Sequence, residues 1–80
     1  MSTKTAKRAR ALIAETLLCD PKDVTDDAEL VERLEADSLE ITQLVLAIEE
    51  VFGFDIPDDD AEAWKTAGDV IQYIERRLTT

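Results

Sequence analysis

The chain is 80 residues long with 45% hydrophobic and 35% charged residues, a mixture that folds and one that limits it to a single small core. It has no His and one Cys, which excludes a His-based triad, a His/Cys zinc site and an internal disulfide. Nine basic residues against nineteen acidic ones give a net charge of −10, which argues against nucleic acid and for basic protein partners. Four of the basic residues, Lys4, Lys7, Arg8 and Arg10, fall in the first ten positions, so the acidity belongs to the rest. No apolar run of membrane-spanning length occurs. The basic start followed by Ala11-Leu12-Ile13-Ala14 is broken by Glu15, so it reads as a helix and not as a targeting peptide.

In chain order, Ala9, Leu12, Ile13, Thr16 and Leu17 repeat on one helical face, and Asp20-Pro21 is expected to stop that helix. Residues 19–37 form a long connection. Val24, Leu30, Val31 and Leu34 are expected to pin it to the core, and Asp26-Asp27 to begin a short turn of helix. Ile41, Leu44, Val45, Ile48 and Phe52 mark a second helix that Gly53 caps. A short third helix is predicted from Pro57, as its first helical residue, to about Trp64. The fourth carries Val70, Ile71, Ile74 and Leu78, with Thr66 and Asp69 as a capping pair. No segment alternates like a strand. The expected fold is all-α: a four-helix bundle with a long first loop and a short third helix, one domain over 1–80.

Ala36-Asp37-Ser38-Leu39-Glu40 is the segment able to carry chemistry. Asp37 is a good N-cap and Glu40 completes a capping box, which puts Ser38 in the first turn of the second helix. A phosphate esterified there would meet free N–H groups and the positive end of the helix dipole. Ordinary capping is the competing reading of those residues. With no His to activate it, Ser38 would need another enzyme for any modification. Asp55, Asp58, Asp59 and Asp60 invite a calcium reading. The Gly and final Glu of a helix–loop–helix calcium loop are missing at the required spacing, so no metal site is assigned.

Beyond the triplet, Leu34-Glu35-Ala36-Asp37-Ser38-Leu39-Glu40, Leu44 to Glu50, Phe52, Asp55-Ile56-Pro57-Asp58, Val70-Ile71 and Tyr73-Ile74 follow one another with the order and spacing of a known family. The chain resembles the acyl carrier proteins over nearly its whole length. The resemblance implies a non-catalytic cytoplasmic monomer that carries acyl groups as thioesters on a 4′-phosphopantetheine arm. Ser38 matches the attachment serine, modified by a phosphopantetheinyl transferase that uses coenzyme A and magnesium and releases adenosine 3′,5′-bisphosphate. Asp37, Leu39, Glu40, Leu46, Glu49 and Glu50 match contacts for the transferase and for acyl-processing enzymes with basic patches. Gln43 replaces a common acid. Val45, Ile48, Ile56, Ala61, Trp64 and Ile71 match an acyl pocket. Cys19 is expected to be a half-buried packing residue and not the working thiol.

Two departures stand out. Glu35 replaces a usual Gly, so the loop is expected either to strain or to take another path. Trp64 replaces a smaller aliphatic residue. Pointing inward it would shorten the pocket; at the rim it would change nothing. Both fit a carrier for fatty-acid or related lipid synthesis and a specialised carrier for a modified lipid, polyketide or other secondary metabolite. An unmodified acidic adaptor is the remaining alternative.

Overall fold

Helical periodicity becomes four helices in the computed structural model, which describes residues 3–79. They are α1 (Thr3–Leu17), α2 (Ser38–Phe52), α3 (Asp58–Glu62) and α4 (Ala67–Thr79), with a 3-10 turn at Pro21–Asp23 and no strand among the described residues. Met1, Ser2 and Thr80, the ends of the predicted domain, lie outside the described residues. Ala9, Ile13 and Leu17 of α1, Leu44 and Ile48 of α2 and Val70, Ile71 and Ile74 of α4 form one buried cluster. Burying each large aliphatic side chain there contributes about 1.5–3 kcal/mol. Leu78 was expected to extend the α4 face. It is 43% exposed, because Ile74 is the last buried residue of that helix.

The first helix ends earlier than Pro21 requires. Leu18 turns left-handed at φ 56°, and the Cys19 N–H donates to the Ala14 carbonyl at 2.9 Å. That bond closes the helix end by the usual left-handed C-terminal turn, without proline. Pro21 instead opens the 3-10 turn, with Asp20 accepting the Lys22 N–H at 2.9 Å. The predicted helical turn at Asp26-Asp27 is therefore misplaced. Those residues form a tight turn closed by Ala28 N–H to the Thr25 carbonyl at 3.0 Å.

The long connection is ordered by backbone bonds to the start of α4. Leu30 N–H reaches the Lys65 carbonyl, Ala67 N–H the Ala28 carbonyl and Gly68 N–H the Asp26 carbonyl, each at 2.9 Å. A Cβ on Gly68 would stand 2.5 Å from the Asp26 carbonyl oxygen, so only glycine allows this approach. Arg10 of α1 donates to the Val24 carbonyl and, at 2.8 Å, to the Asp26 carboxylate. Val24 and Leu30 are buried as expected and Leu34 is half-buried, but Val31 is 62% exposed. Arg33 and Leu34 N–H both bond the Glu29 carbonyl, and this tight turn sends Leu30 inward and its neighbour Val31 outward.

The third helix is shorter than predicted. Pro57 is its extended N-cap, with φ −62° and ψ 146°, not its first helical residue. Its end tightens into three-residue bonds, Ala63 N–H to Asp60 and Trp64 N–H to Ala61, both 3.2 Å, leaving Trp64 beyond the helix. The start of α4 matches its predicted cap. Asp69 accepts the Lys65 and Thr66 N–H groups at 2.9 and 3.1 Å, and the Thr66 hydroxyl oxygen accepts the Asp69 N–H at 3.2 Å.

Candidate functional site

The capping box at the head of α2 is complete. Asp37 accepts the Glu40 N–H at 2.8 Å, and Glu40 accepts the Asp37 N–H at 3.3 Å. This fixes Ser38 as the first residue of α2, with its side chain exposed. The first N–H groups of a helix lack intrahelical partners. Glu40 N–H is taken by Asp37, so the N–H groups of Ser38 and Leu39 remain to face an anion on the Ser38 oxygen. A phosphodiester fits this place on donor chemistry alone.

Glu35 lies three residues upstream at φ 56°. Of the two expectations, strain is the outcome: the loop keeps the left-handed turn that glycine would take freely. Such a conformation costs a non-glycine residue about 1–2 kcal/mol. Ala36, just after it, is buried and donates to the Leu30 carbonyl at 2.8 Å. That contact fixes where the chain enters α2.

Two faces of α2 diverge from Ser38. Leu39, Gln43, Leu46 and Glu50 recur at helical spacing and are all exposed, Leu39 by 65% and Leu46 by 59%. Asp37 is exposed and Glu40 half-buried at the head of this stripe. Glu49 differs from the solvent-facing acid that the sequence suggests. It is half-buried and accepts the Ile56 N–H at 2.8 Å, bracing the segment that leads into α3. No sequence signal distinguishes it from Glu50; only the returning chain does.

On the other face, Ser38, Ile41, Thr42 and Val45 line a cleft of about 600 Å³. Asp58, Ala61 and Glu62 of α3, with Trp64 and Val31, complete its walls. Of the predicted pocket residues, Val45, Ala61 and Trp64 are brought together here. Ile48, Ile56 and Ile71 do not line this cleft; they are at most 6% exposed, in the closed core. Ile41 and Thr42 were readable as neighbours of Ser38 at i+3 and i+4, whereas Val31 arrives from the loop and has no periodic signal.

Trp64 points inward and is 8% exposed. Its ring meets Tyr73 edge-on, with centroids 5.5 Å apart at 70°. Tyr73 donates its hydroxyl to Asp60 at 2.8 Å and accepts from Arg77 at 2.9 Å. Burial pushes the Tyr73 phenol above its ordinary range, so it stays a neutral donor. Cys19 is half-buried against the core. Burial, then Asp23 and Asp20, raise its thiol above the ordinary range, the opposite of an activated nucleophile. Among the described residues, no three His, Cys, Asp or Glu side chains are gathered around one ion-sized point. No described helix is long and apolar enough to cross a membrane.

Residues 7–74 match the family model described as "Phosphopantetheine attachment site". An acyl carrier protein of Chlamydia trachomatis serovar D is 47% identical over 68 residues, covering 85% of this chain and 88% of that one. An acyl carrier protein of Chlamydia muridarum is 44% identical over 68 residues, with the same coverage of 85% and 88%.

Proposed function

Because the chain belongs to the acyl carrier protein family, we propose that Ser38 is the residue that bears its 4′-phosphopantetheine arm. The chain is a non-catalytic carrier that works with acyl-processing enzymes. The observation supporting Ser38 is its position: an exposed hydroxyl at the first residue of α2, between an acidic-apolar stripe and a cleft of mixed apolar and acidic lining. A transferase would take the Ser38 proton, since nothing in this chain replaces the missing His. The arm supplies a thiol for thioester linkage.

The residues of the chain would then divide the work. The N–H groups at the head of α2 offset the phosphodiester charge. Leu39 and Leu46 present apolar contacts, and Asp37, Glu40 and Glu50 present charge to basic enzyme patches. Glu49 contributes by holding the turn into α3 rather than by contact. Val45 and Ala61 offer apolar walls to a tethered chain, and Trp64 sets where shelter ends. The carrier would act in the cytoplasm as a monomer, in fatty-acid or related lipid synthesis. A specialised lipid or secondary-metabolite pathway is the second reading, favoured by the buried Trp64.

The test is mass spectrometry after incubation with coenzyme A, magnesium and a broad-specificity transferase. The native chain should gain one phosphopantetheine unit. Ser38→Ala should gain none while keeping its helical circular dichroism, because Asp37 still caps α2. An Ala variant that is still loaded would place the arm elsewhere.

A further inference from the structure

Charge and helix polarity disagree at the start of α1. Its first turn carries no acidic residue, and Lys4, Lys7 and Arg8 follow one another along it, all exposed. The free N–H groups of a helix N-terminus make that end positive, so cations there work against stability. Stability therefore does not account for them, and their place in the fold offers another reason. The Arg8 guanidinium lies over the Phe52 ring, 5.2 Å from its centroid, so the start of α1 meets the end of α2. The Arg77 guanidinium lies over the Phe54 ring at 4.7 Å, which brings the last turn of α4, with Arg76, to the same end. Five of the nine basic residues thus come together from three helices, around the turn at Gly53.

This end lies opposite Ser38. At helical rise, Ser38 and Phe52 stand about 21 Å apart at the two ends of α2. Glu49, Glu50, Asp55 and Glu75 are the acids beside the five cations, so this end has no net negative charge. Outside it, Arg10, Lys22, Arg33 and Lys65 stand against the other fifteen of the nineteen acids. The chain is therefore a dipole as well as an anion, and its negative part includes Asp37 and Glu40 beside Ser38. A basic enzyme face attracts that part and repels the cationic end. We propose that the end formed by Lys4, Lys7, Arg8, Arg76 and Arg77 is an orienting element: in the field of a basic partner it turns the carrier so that Ser38 arrives first. This rests on the reading of Ser38 as the attachment residue and concerns how enzymes meet it. A uniformly acidic chain would be drawn in by any face, and the need to dock one specific patch makes most such encounters unproductive.

The experiment measures loading of the full chain from coenzyme A by a transferase with a basic docking face. The native chain is compared with Lys4→Gln/Lys7→Gln and with Lys4→Glu/Lys7→Glu. Arg8 stays, because it stacks on Phe52. Lys4 and Lys7 are exposed, so circular dichroism should show the helices retained. Both variants are more acidic than the native chain, and attraction by net charge alone predicts faster loading. Orientation predicts the reverse. At low salt kcat/KM should fall about threefold for the Glu pair and less for the Gln pair, a part of the tenfold or greater gain that steering supplies. The kcat should not change, because both substitutions are remote from Ser38. In salt that shortens the screening length to about 3 Å, the three chains should load at the same rate. Variants that load faster than the native chain at low salt, or equally fast, overturn the proposal. So does a deficit that salt leaves in place. A native chain that gains no phosphopantetheine refutes the attachment reading and the orienting role with it. A loaded native chain whose variants show no low-salt deficit refutes the orienting role alone.

Discussion

The α1 helix and the α3 helix are held in place by different physics. The 15-residue α1 inserts Ala9, Ile13, Ala14 and Leu17 into the core, and Arg10 ties it to the long connection. The five-residue α3 has no fully buried residue. Its neighbours anchor it: Ile56 before it and Trp64 after it are buried and Ala61 packs against the core, with polar links from Glu49 to the Ile56 N–H and from Tyr73 to Asp60 added to them. Apolar burial is strong and resists displacement, whereas single exposed hydrogen bonds contribute about 1 kcal/mol each. The core thus holds the Ser38 helix against α1, and α3 forms one wall of the cleft beside it.

The sharpest way to break this comparison is a matched pair of truncations. Ile13→Ala should lower unfolding stability by about 2–5 kcal/mol in urea titration, while Asp59→Ala in α3 should stay within about 0.5 kcal/mol. Equal losses would mean that α3 is part of the core. Gly68→Ala tests whether the long connection belongs to the rigid side. A Cβ there meets backbone at 2.5 Å, so the cost should be about 1–3 kcal/mol. An unchanged denaturation midpoint would show that the connection yields. Glu35→Gly should act in the opposite direction, raising stability by about 0.5–1 kcal/mol as the left-handed strain is relieved, net of glycine's greater freedom when unfolded. A loss of stability would mean that the Glu35 side chain supports the loop.

The smallest effect concerns pH. Hydrogen bonds from the Lys65 and then the Thr66 N–H hold the Asp69 carboxyl below its usual range. A carboxyl lowered in the folded state adds stability above its unfolded pKa, and that stability is lost as pH falls through the folded value. Asp69→Asn should therefore flatten the acid limb of a plot of melting temperature against pH, with little change near neutrality beyond a constant offset. An acid limb of unchanged slope would remove Asp69 from that account. The group is exposed, so the effect is modest.

Most of the architecture was legible because local signals agreed. Three apolar helical stripes, the Asp37–Glu40 box, the Thr66–Asp69 cap and Gly53 as C-cap all involve residues within a few positions of one another. Ser38 was legible for the same reason: a cap fixes its own neighbour. The misreadings came where a residue's partner is distant in sequence. Glu49 and Glu50 are identical in type and adjacent, yet only one meets the returning Ile56 N–H. Leu30 and Val31 are both apolar, and the turn between them allows one inside. Proline at position 57 was placed one residue too far into its helix, since either location suits its fixed φ.

The sequence alone determined the apolar faces of α1, α2 and α4, the caps of α2, the start of α4 and the exposed serine, because each follows from periodicity or from hydrogen bonds within a turn. Only the tertiary structure decided that Gly68 must lack a side chain, that Glu35 would bear a left-handed backbone and that Trp64 would face inward with its N–H unpaired. Each of these depends on what another segment brings alongside. Close packing makes such meetings specific to within an ångström, and no local pattern encodes them.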